Sequence, residues 1–291
     1  MVWMLAASLA WADDFDLDQR LHEAWTEAAQ SVQWRSPTVS EREALREAMR
    51  LLFTASDTCS GRTVDRARER LDEAGFVLEE VEEADVLVVR EPGEESRGGG
   101  MYALRCGEAR SWVLQAPHSF HDLRTGEIVR RLFAETDARA AYWNTLHRYR
   151  SVPDETSADV VHPADVAHEF GSFFHVATVG AAIGDPTLQV VQIHGFAEGR
   201  VPFQAVLSSG NERLLPLGVE RRLEALWPSV GVYGADTRLL GATHNVQQQA
   251  LAHDSPGRFL HIELAPSSRK QLATDPEVRA RFVAALDGSW W

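Results

Sequence analysis

Positive charge is scarce in this 291-residue chain: 29 Lys and Arg face 43 Asp and Glu, giving a formal net charge of −14 at pH 7, and Lys270 is the single lysine. So acidic a surface repels a phosphate backbone or an anionic lipid headgroup, which removes nucleic acid from the favoured partners. No apolar run reaches the ~20 residues of a transmembrane helix, so no stable membrane span is expected. The strained elbow of a serine hydrolase, Gly-x-Ser-x-Gly, is missing, because Gly171-Ser172 lacks the flanking pattern. Internal repeats and low-complexity tracts are absent too. Cysteine is reduced to Cys59 and Cys106, which suit one disulfide in an oxidising compartment or two buried thiols. What is present, 44% hydrophobic residues with 9 Trp and 12 Phe, is the composition of a globular protein with a sizeable core.

Residues 1–12, MVWMLAASLAWA, carry no charge and end in Ala10-Trp11-Ala12 before an acidic run from Asp13. They read as the apolar and cleavage parts of a secretory signal lacking its positive n-region, which predicts a periplasmic or secreted protein; a frayed hydrophobic N-terminus is the alternative. Residues 13–75 then read as a helical extension. Ser40-x-x-Glu43 has the form of a capping box opening EREALREAMRLLF, and a second helix covers 64–74. Over 76–291 the period changes. FVLEEVEE, ADVLVVRE, MYALRCGE and SWVLQAPH are strand-like, with a Gly-rich loop at 91–100. Helical patterns at 126–135, 163–182, 219–226 and 271–286 alternate with strand patterns at 188–194, 203–207 and 259–264, which predicts an α/β domain with a mixed or largely parallel sheet.

Ligands of open α/β sheets bind beyond the carboxyl ends of the strands. His118, in Pro117-His118-Ser119-Phe120-His121-Asp122, follows the strand SWVLQA at such an end, and Glu127 opens the next helix. A loop folding back between them presents an imidazole and a carboxylate to one cation, chemistry suited to zinc. The plainer readings are a macrodipole-favoured acid for Glu127 and a loop imidazole with a backbone partner for His118. His194 closes the strand LQVVQIH, where alternation sets Leu188, Val190, Gln192 and His194 on one face. Two histidines, a carboxylate and a place left for water make the open ligand set of catalytic zinc sites. In FLHIEL the residues Leu260, Ile262 and Leu264 point inward, leaving Phe259, His261 and Glu263 on the other face. A buried carboxylate needs a partner, and beside a metal Glu263 reads as the general base that takes a proton from attacking water. Arg269 suits bidentate capture of a substrate carboxylate, and Arg148 suits an anionic substrate. His168 and His175, seven apart on the expected 163–182 helix, share a stripe that lines a pocket or packs as core. Asn144, Thr243 and Asn245 are further polar candidates for substrate contact, and Trp290 and Trp291 are expected to pack on the body.

Taken in order, Pro117-His118 with Glu127, then His194-Gly195, then Ile262-Glu263-Leu264 with Arg269 resemble the superfamily of zinc carboxypeptidases, N-formylglutamate amidohydrolases and poly-gamma-glutamate hydrolases, over roughly residues 110–286. The resemblance implies a three-layer α/β/α domain with a mixed, mostly parallel sheet and one zinc, cleaving an amide in a glutamate-like or otherwise carboxylate-bearing substrate. It assigns His118, Glu127 and His194 as ligands and Glu263 as base. The eight-residue gap between His118 and Glu127 departs from the two-residue gap of the carboxypeptidases, with Asp122 and His121 as replacements for Glu127. A non-catalytic binding protein on the same fold, holding a peptide or cell-wall fragment, is the rival reading.

Overall fold

The computed structural model describes residues 16–29, 33–55, 59–150, 162–210, 215, 218–252 and 258–287. The expected signal at 1–12 and the terminal Trp290 and Trp291 lie outside the described residues.

Among the described residues a single sheet organises the chain. Its strands are β1 (Val77–Val81), β2 (Val86–Arg90), β3 (Met101–Arg105), β4 (Arg110–Ala116), β5 (Ala138–Trp143), β6 (Gln189–Gly195), β7 (Ala205–Ser208), β8 (Val230–Val232) and β9 (Phe259–Leu264). They lie in the order β1-β2-β3-β5-β4-β6-β9-β7-β8. The centre, β5-β4-β6-β9, is parallel, as is the outer pair β7-β8. Strands β1 to β3 add an antiparallel meander onto β5, and β7 joins β9 antiparallel. Nine helices pack on the sheet: α1 (Leu17–Ala29), α2 (Val39–Thr54), α3 (Arg62–Ala74), α4 (Thr125–Glu135), α5 (Phe173–Gly184), α6 (Val219–Glu224), α7 (Val246–Ala252), α8 (Pro266–Thr274) and α9 (Pro276–Asp287) among the described residues.

Two buried clusters, one on each face, make this the expected three-layer α/β/α fold. Helices α1, α4, α6, α8 and α9 share the first with Leu114, Ile193 and Ile262, and α2, α3, α5 and α7 share the second with Val113, Val190 and Phe259. Adjacent strand residues point to opposite faces, so each central strand feeds both cores. On the second face, toward the carboxyl ends, the apolar row gives way to Gln115, Gln192, His194, His261 and Glu263. Helix α5 comes close against α2 through Gly180, where a Cβ would stand 2.2 Å from the Arg46 carbonyl oxygen. Among the described residues, no helix is long and apolar enough to cross a membrane.

Several local expectations shift. The capping box of α2 is Thr38 with Glu41, two residues ahead of Ser40-x-x-Glu43: Glu41 N–H donates to Thr38 Oγ1 (3.3 Å) and Thr38 N–H to Glu41 Oε2 (2.6 Å). The helix expected over 163–182 begins at Phe173, capped by Ser172, whose Oγ accepts from His175 N–H (3.1 Å). Residues 163–171 form turns instead. The 271–286 helix is split, because Pro276 cannot donate the backbone hydrogen bond that would continue α8.

Cys59 and Cys106 form a disulfide across a separation of 47 residues, tying the segment before α3 to the end of β3. Chain-entropy reasoning for a loop of this length gives ~4 kcal/mol of stabilisation, within the usual ~2–5 kcal/mol lost when a native bridge is removed. Denaturant unfolding of Cys59→Ser/Cys106→Ser should show a loss of that size, and an unchanged midpoint would deny the bridge a role in stability.

Candidate metal centre

The strand SWVLQA ends at Ala116, and the chain turns at once into a single helical turn in which Asp122 N–H donates to His118 O (2.8 Å). Side chains four apart on such a turn share a side, so Asp122 stands beside His118. The parallel neighbour β6 carries His194 to the same sheet edge. His118 Nδ1, His194 Nδ1 and Asp122 Oδ2 form a triangle with sides of 3.2, 3.3 and 3.3 Å. Tetrahedral zinc with bonds of ~2.0–2.1 Å separates its ligand atoms by about 3.3–3.4 Å, so these donors match one facet of that geometry. The group can hold a metal ion. Gly195 N–H donates to Asp122 Oδ2 (3.1 Å), Asp165 Oδ1 lies 2.8 Å from His118 Nε2, and Gln192 Oε1 lies 2.8 Å from His194 Nε2. Each donor is thereby oriented by a further partner, as metal ligands are.

Glu127 does not reach this triangle. It lies on the flank of α4, one-third exposed, with Oε1 3.0 Å from Arg131. Asp122, the replacement considered from sequence, takes the carboxylate position because a helical turn, rather than a folded-back loop, follows His118. His121 lines the cleft, packed edge-on against His147 and Tyr149, outside the triangle.

Glu263 stands directly across from His194 in the β6–β9 register. Its Oε1 is 3.7 Å from His261 Nε2, while its Oε2 and His261 Nδ1 are buried with no hydrogen-bond partner among the described residues. Burial and the Asp122 charge push the Glu263 carboxyl up to about 8. Burial, with the neighbouring His118, brings His194 down to about 4, and burial with the neighbouring His194 holds His261 well below its ordinary value. For His118 burial acts the same way, but hydrogen bonds to Asp122 and Asp165 outweigh it and raise the imidazole to about 9. Burial likewise opposes ionisation of Asp122, yet its two histidine partners keep it well below the usual carboxylate range.

The triangle and Glu263 open onto a cleft of about 570 Å³. Arg148 lines it and pairs with Asp165, and Arg200, His168, Thr243 and His244 complete its charged and polar rim. Arg269 is placed elsewhere: its Nη1 donates to Phe196 O (3.1 Å) and to Leu264 O, tying the ends of β6 and β9 together behind the cleft. Its guanidinium lies so close that a Cβ at Gly195 would come within 2.2 Å of Nη1. Asn245 lines the cleft but is spent on Gln192, Asn144 is spent on the backbone of Ala164 and Leu146, and Thr243 faces the cleft with its hydroxyl 3.2 Å from His244 Nδ1. Sequence reading passed over Asp165, whose only signal is its place inside the histidine-rich run from His162 to His168.

His168 and His175 separate because no continuous helix joins them. His168 Nδ1 contacts Asp165 Oδ1 (3.0 Å) at the cleft, whereas His175 is buried in α5, edge-on to Phe170. Burial lowers His175 to about 4 from its ordinary 6.5. The unfolded chain therefore protonates first: the contribution of His175 is complete above about pH 6.5 and is withdrawn as pH falls toward about 4. Removing the ring as His175→Phe should flatten the acid side of the stability profile by roughly 1–3 kcal/mol, read as the difference between the two proteins' unfolding free energies at pH 7 and pH 4.

No protein-family model matches the chain, and no curated protein does. Among solved structures, N-formylglutamate amidohydrolase from Ralstonia eutropha JMP134 aligns over 65% of this chain and 98% of its own at 13% identity, with a TM-score of 0.42. A gene product from Agrobacterium tumefaciens aligns over 61% of this chain and 88% of its own at 14% identity, with a TM-score of 0.37.

Proposed function

We propose that the protein is a zinc-dependent hydrolase that cleaves an amide bond in a small carboxylate-bearing substrate, glutamate-like or a peptide, and works in the periplasm or outside the cell. The observation that carries this reading is the donor triangle of His118, Asp122 and His194 with Glu263 buried beside it. His118 Nδ1, Asp122 Oδ2 and His194 Nδ1 would hold the zinc, which when bound polarises a scissile carbonyl and brings a water's pKa to ~7. Glu263 takes a proton from the attacking water and delivers it to the departing nitrogen. A carboxyl raised to about 8 at the wall of the cleft is well poised for both halves of that transfer, since a nearby cation would bring its pKa back down toward ~7. Arg148 and the exposed Arg200 give the cleft the positive charge a substrate carboxylate needs, and its volume of about 570 Å³ suits a small molecule.

Elemental analysis of the purified protein should find stoichiometric zinc. Assay against N-acylated glutamates and short peptides should show hydrolysis that chelation abolishes and zinc restores. Turnover that survives complete removal of metal would overturn this reading, and bound zinc with no turnover of any such substrate would favour the binding protein.

A further inference from the structure

We infer that Gln192 fixes His194 as the tautomer protonated on Nε2, so that its bare Nδ1 is the atom turned toward the cation. The inference rests on the reading of His194 as a ligand and adds to it the residues that set its proton.

A neutral imidazole offers either nitrogen as donor, and only the hydrogen bond at one nitrogen decides which lone pair the other presents. An amide is equally ambiguous until its own partners are known. Here the direction is set step by step from a fixed backbone group. Thr178 is in the middle of α5 and its hydroxyl donates its one proton to Phe174 O (2.9 Å), so its oxygen is left as an acceptor. Gln115 Nε2 donates to that oxygen (2.9 Å), which turns Gln115 Oε1 toward the sheet neighbour. Gln192, opposite Gln115 in the β4–β6 register, donates its Nε2 to that Oε1 (2.9 Å). Its own Oε1 is thereby left facing His194 Nε2 at 2.8 Å.

Two side branches hold the same orientation. Asn245 Nδ2 donates to Gln192 Oε1 (2.5 Å), and Gln192 Nε2 also reaches Gln247 Oε1 (3.4 Å), whose Nε2 donates to Val166 O (2.8 Å). Gln115, Gln192 and Gln247 have no exposed surface, and Thr178 and Asn245 almost none. Reversing one amide would set two donors or two acceptors against each other where no water can intervene, and a buried group left unpaired costs ~1–3 kcal/mol. His194 thus meets an acceptor on each side, but the amide oxygen at Nε2 is the nearer, 2.8 Å against 3.3 Å from Nδ1 to Asp122 Oδ2, so the proton stays on Nε2 and Nδ1 carries the lone pair. From the other side, Nδ1 lies 3.2 Å from His118 Nδ1 and 3.3 Å from Asp122 Oδ2, which places it at the triangle's third corner. Four amides, a hydroxyl and the β4–β6 register thus serve one proton position. Gln192 touches neither cation nor substrate and is a positioning residue.

The test reads the tautomer directly. Long-range 1H–15N correlation of zinc-free protein with 15N-labelled histidine, with His194 assigned by its loss in His194→Gln, should show Nε2 protonated and Nδ1 bare. A wild-type His194 protonated on Nδ1 overturns the inference, whatever the variants do. Gln192→Leu should lose the bias and weaken zinc binding roughly 10–100-fold, the usual effect of removing a ligand's outer partner. Gln192→Glu should keep the Nε2-protonated form and bind zinc at least as tightly. A carboxylate still accepts from His194 and Asn245, although Gln115 can turn its Nε2 to the Glu only if Thr178 moves its proton from Phe174 O to Gln115, and Gln247 Oε1 is left facing an acceptor, so this variant is expected to be less stable while keeping the tautomer. A merely structural Gln192 would lower the melting temperature of the Leu variant while leaving tautomer and zinc Kd at their wild-type values, and that result also overturns the inference. Because the tautomer is read without zinc, a wild type that binds no zinc yet shows bare Nδ1 sinks the proposed function and leaves this assignment standing.

Discussion

Glu263→Gln should lower turnover by roughly 10²–10⁴-fold, the usual worth of a positioned acid–base group, while fold and zinc content stay as in the wild type. The amide has nearly the shape of the carboxyl it replaces. Because Glu263 Oε2 has no hydrogen-bond partner among the described residues, the substitution breaks no bond seen on that side. The native carboxyl is also largely neutral near pH 7, raised to about 8 by burial and the Asp122 charge, so no buried ion is removed in the metal-free state. What disappears is the ability to take and return a proton. The loss should therefore fall on kcat, with KM changing much less, because the interaction is needed chiefly in the transition state. A Gln variant with full activity removes Glu263 from the mechanism. One that loses its zinc makes Glu263 a ligand, in the neighbouring grouping with His194 and His261.

Glu263 was legible in sequence because β9 alternates cleanly: Leu260, Ile262 and Leu264 are buried in one core while His261 and Glu263 face the other side. The same period exposed His194 beside its glycine. Strand β5 is hidden, because Ala138–Trp143 is half alanine, a weak strand former, with an arginine among them, and both of its faces are covered so that no polar alternation marks it. Pro163, which suits a helix start, sets the expected beginning of α5 ten residues ahead of Phe173. The competing force was Asp165. Its carboxylate is held by His118, His168 and Arg148, which keeps residues 163–171 in turns at the cleft and leaves the helix start to the Ser172 cap. Such a contact spans 47 residues of sequence and leaves no periodic trace.

Arg269 shows the limit from the other side. Arginine at this position reads equally as a hand for a substrate carboxylate or as an exposed side chain paired with an acid, and neither reading sees the orphan carbonyls that take it. Only the tertiary approach of β6 and β9, with Gly195 making room, decides for the carbonyls of Phe196 and Leu264.

The choice between Asp122 and Glu127 can be put to a measurement with a large span. Zinc that binds only the folded state stabilises it by RT ln(1 + [L]/Kd), about 4.1 kcal/mol at a thousandfold excess over Kd. Asp122→Asn leaves two imidazoles and a neutral amide in place of the anionic corner. If that weakens zinc at least 100-fold, the same zinc concentration stabilises by only about 1.4 kcal/mol, and most of the zinc-induced rise in melting temperature vanishes. Glu127→Ala should keep the full rise, since that carboxylate is engaged with Arg131 on the flank of α4. The pH dependence separates the ligands further. With His118 raised to about 9 by Asp122 and Asp165 against its burial, the imidazole is charged at pH 7 and must release a proton when zinc binds. Affinity should then climb about tenfold per pH unit up to about 9, and calorimetry in buffers of different ionisation enthalpy should count that proton. In Asp122→Asn one of the two carboxylates that hold the proton on His118 is gone while Asp165 remains, so the slope should level off at a lower pH along with the loss of affinity. An Asn variant that retains both slope and zinc-induced stabilisation would strike Asp122 from the ligand set, and a Glu127→Ala variant that loses them would put Glu127 back.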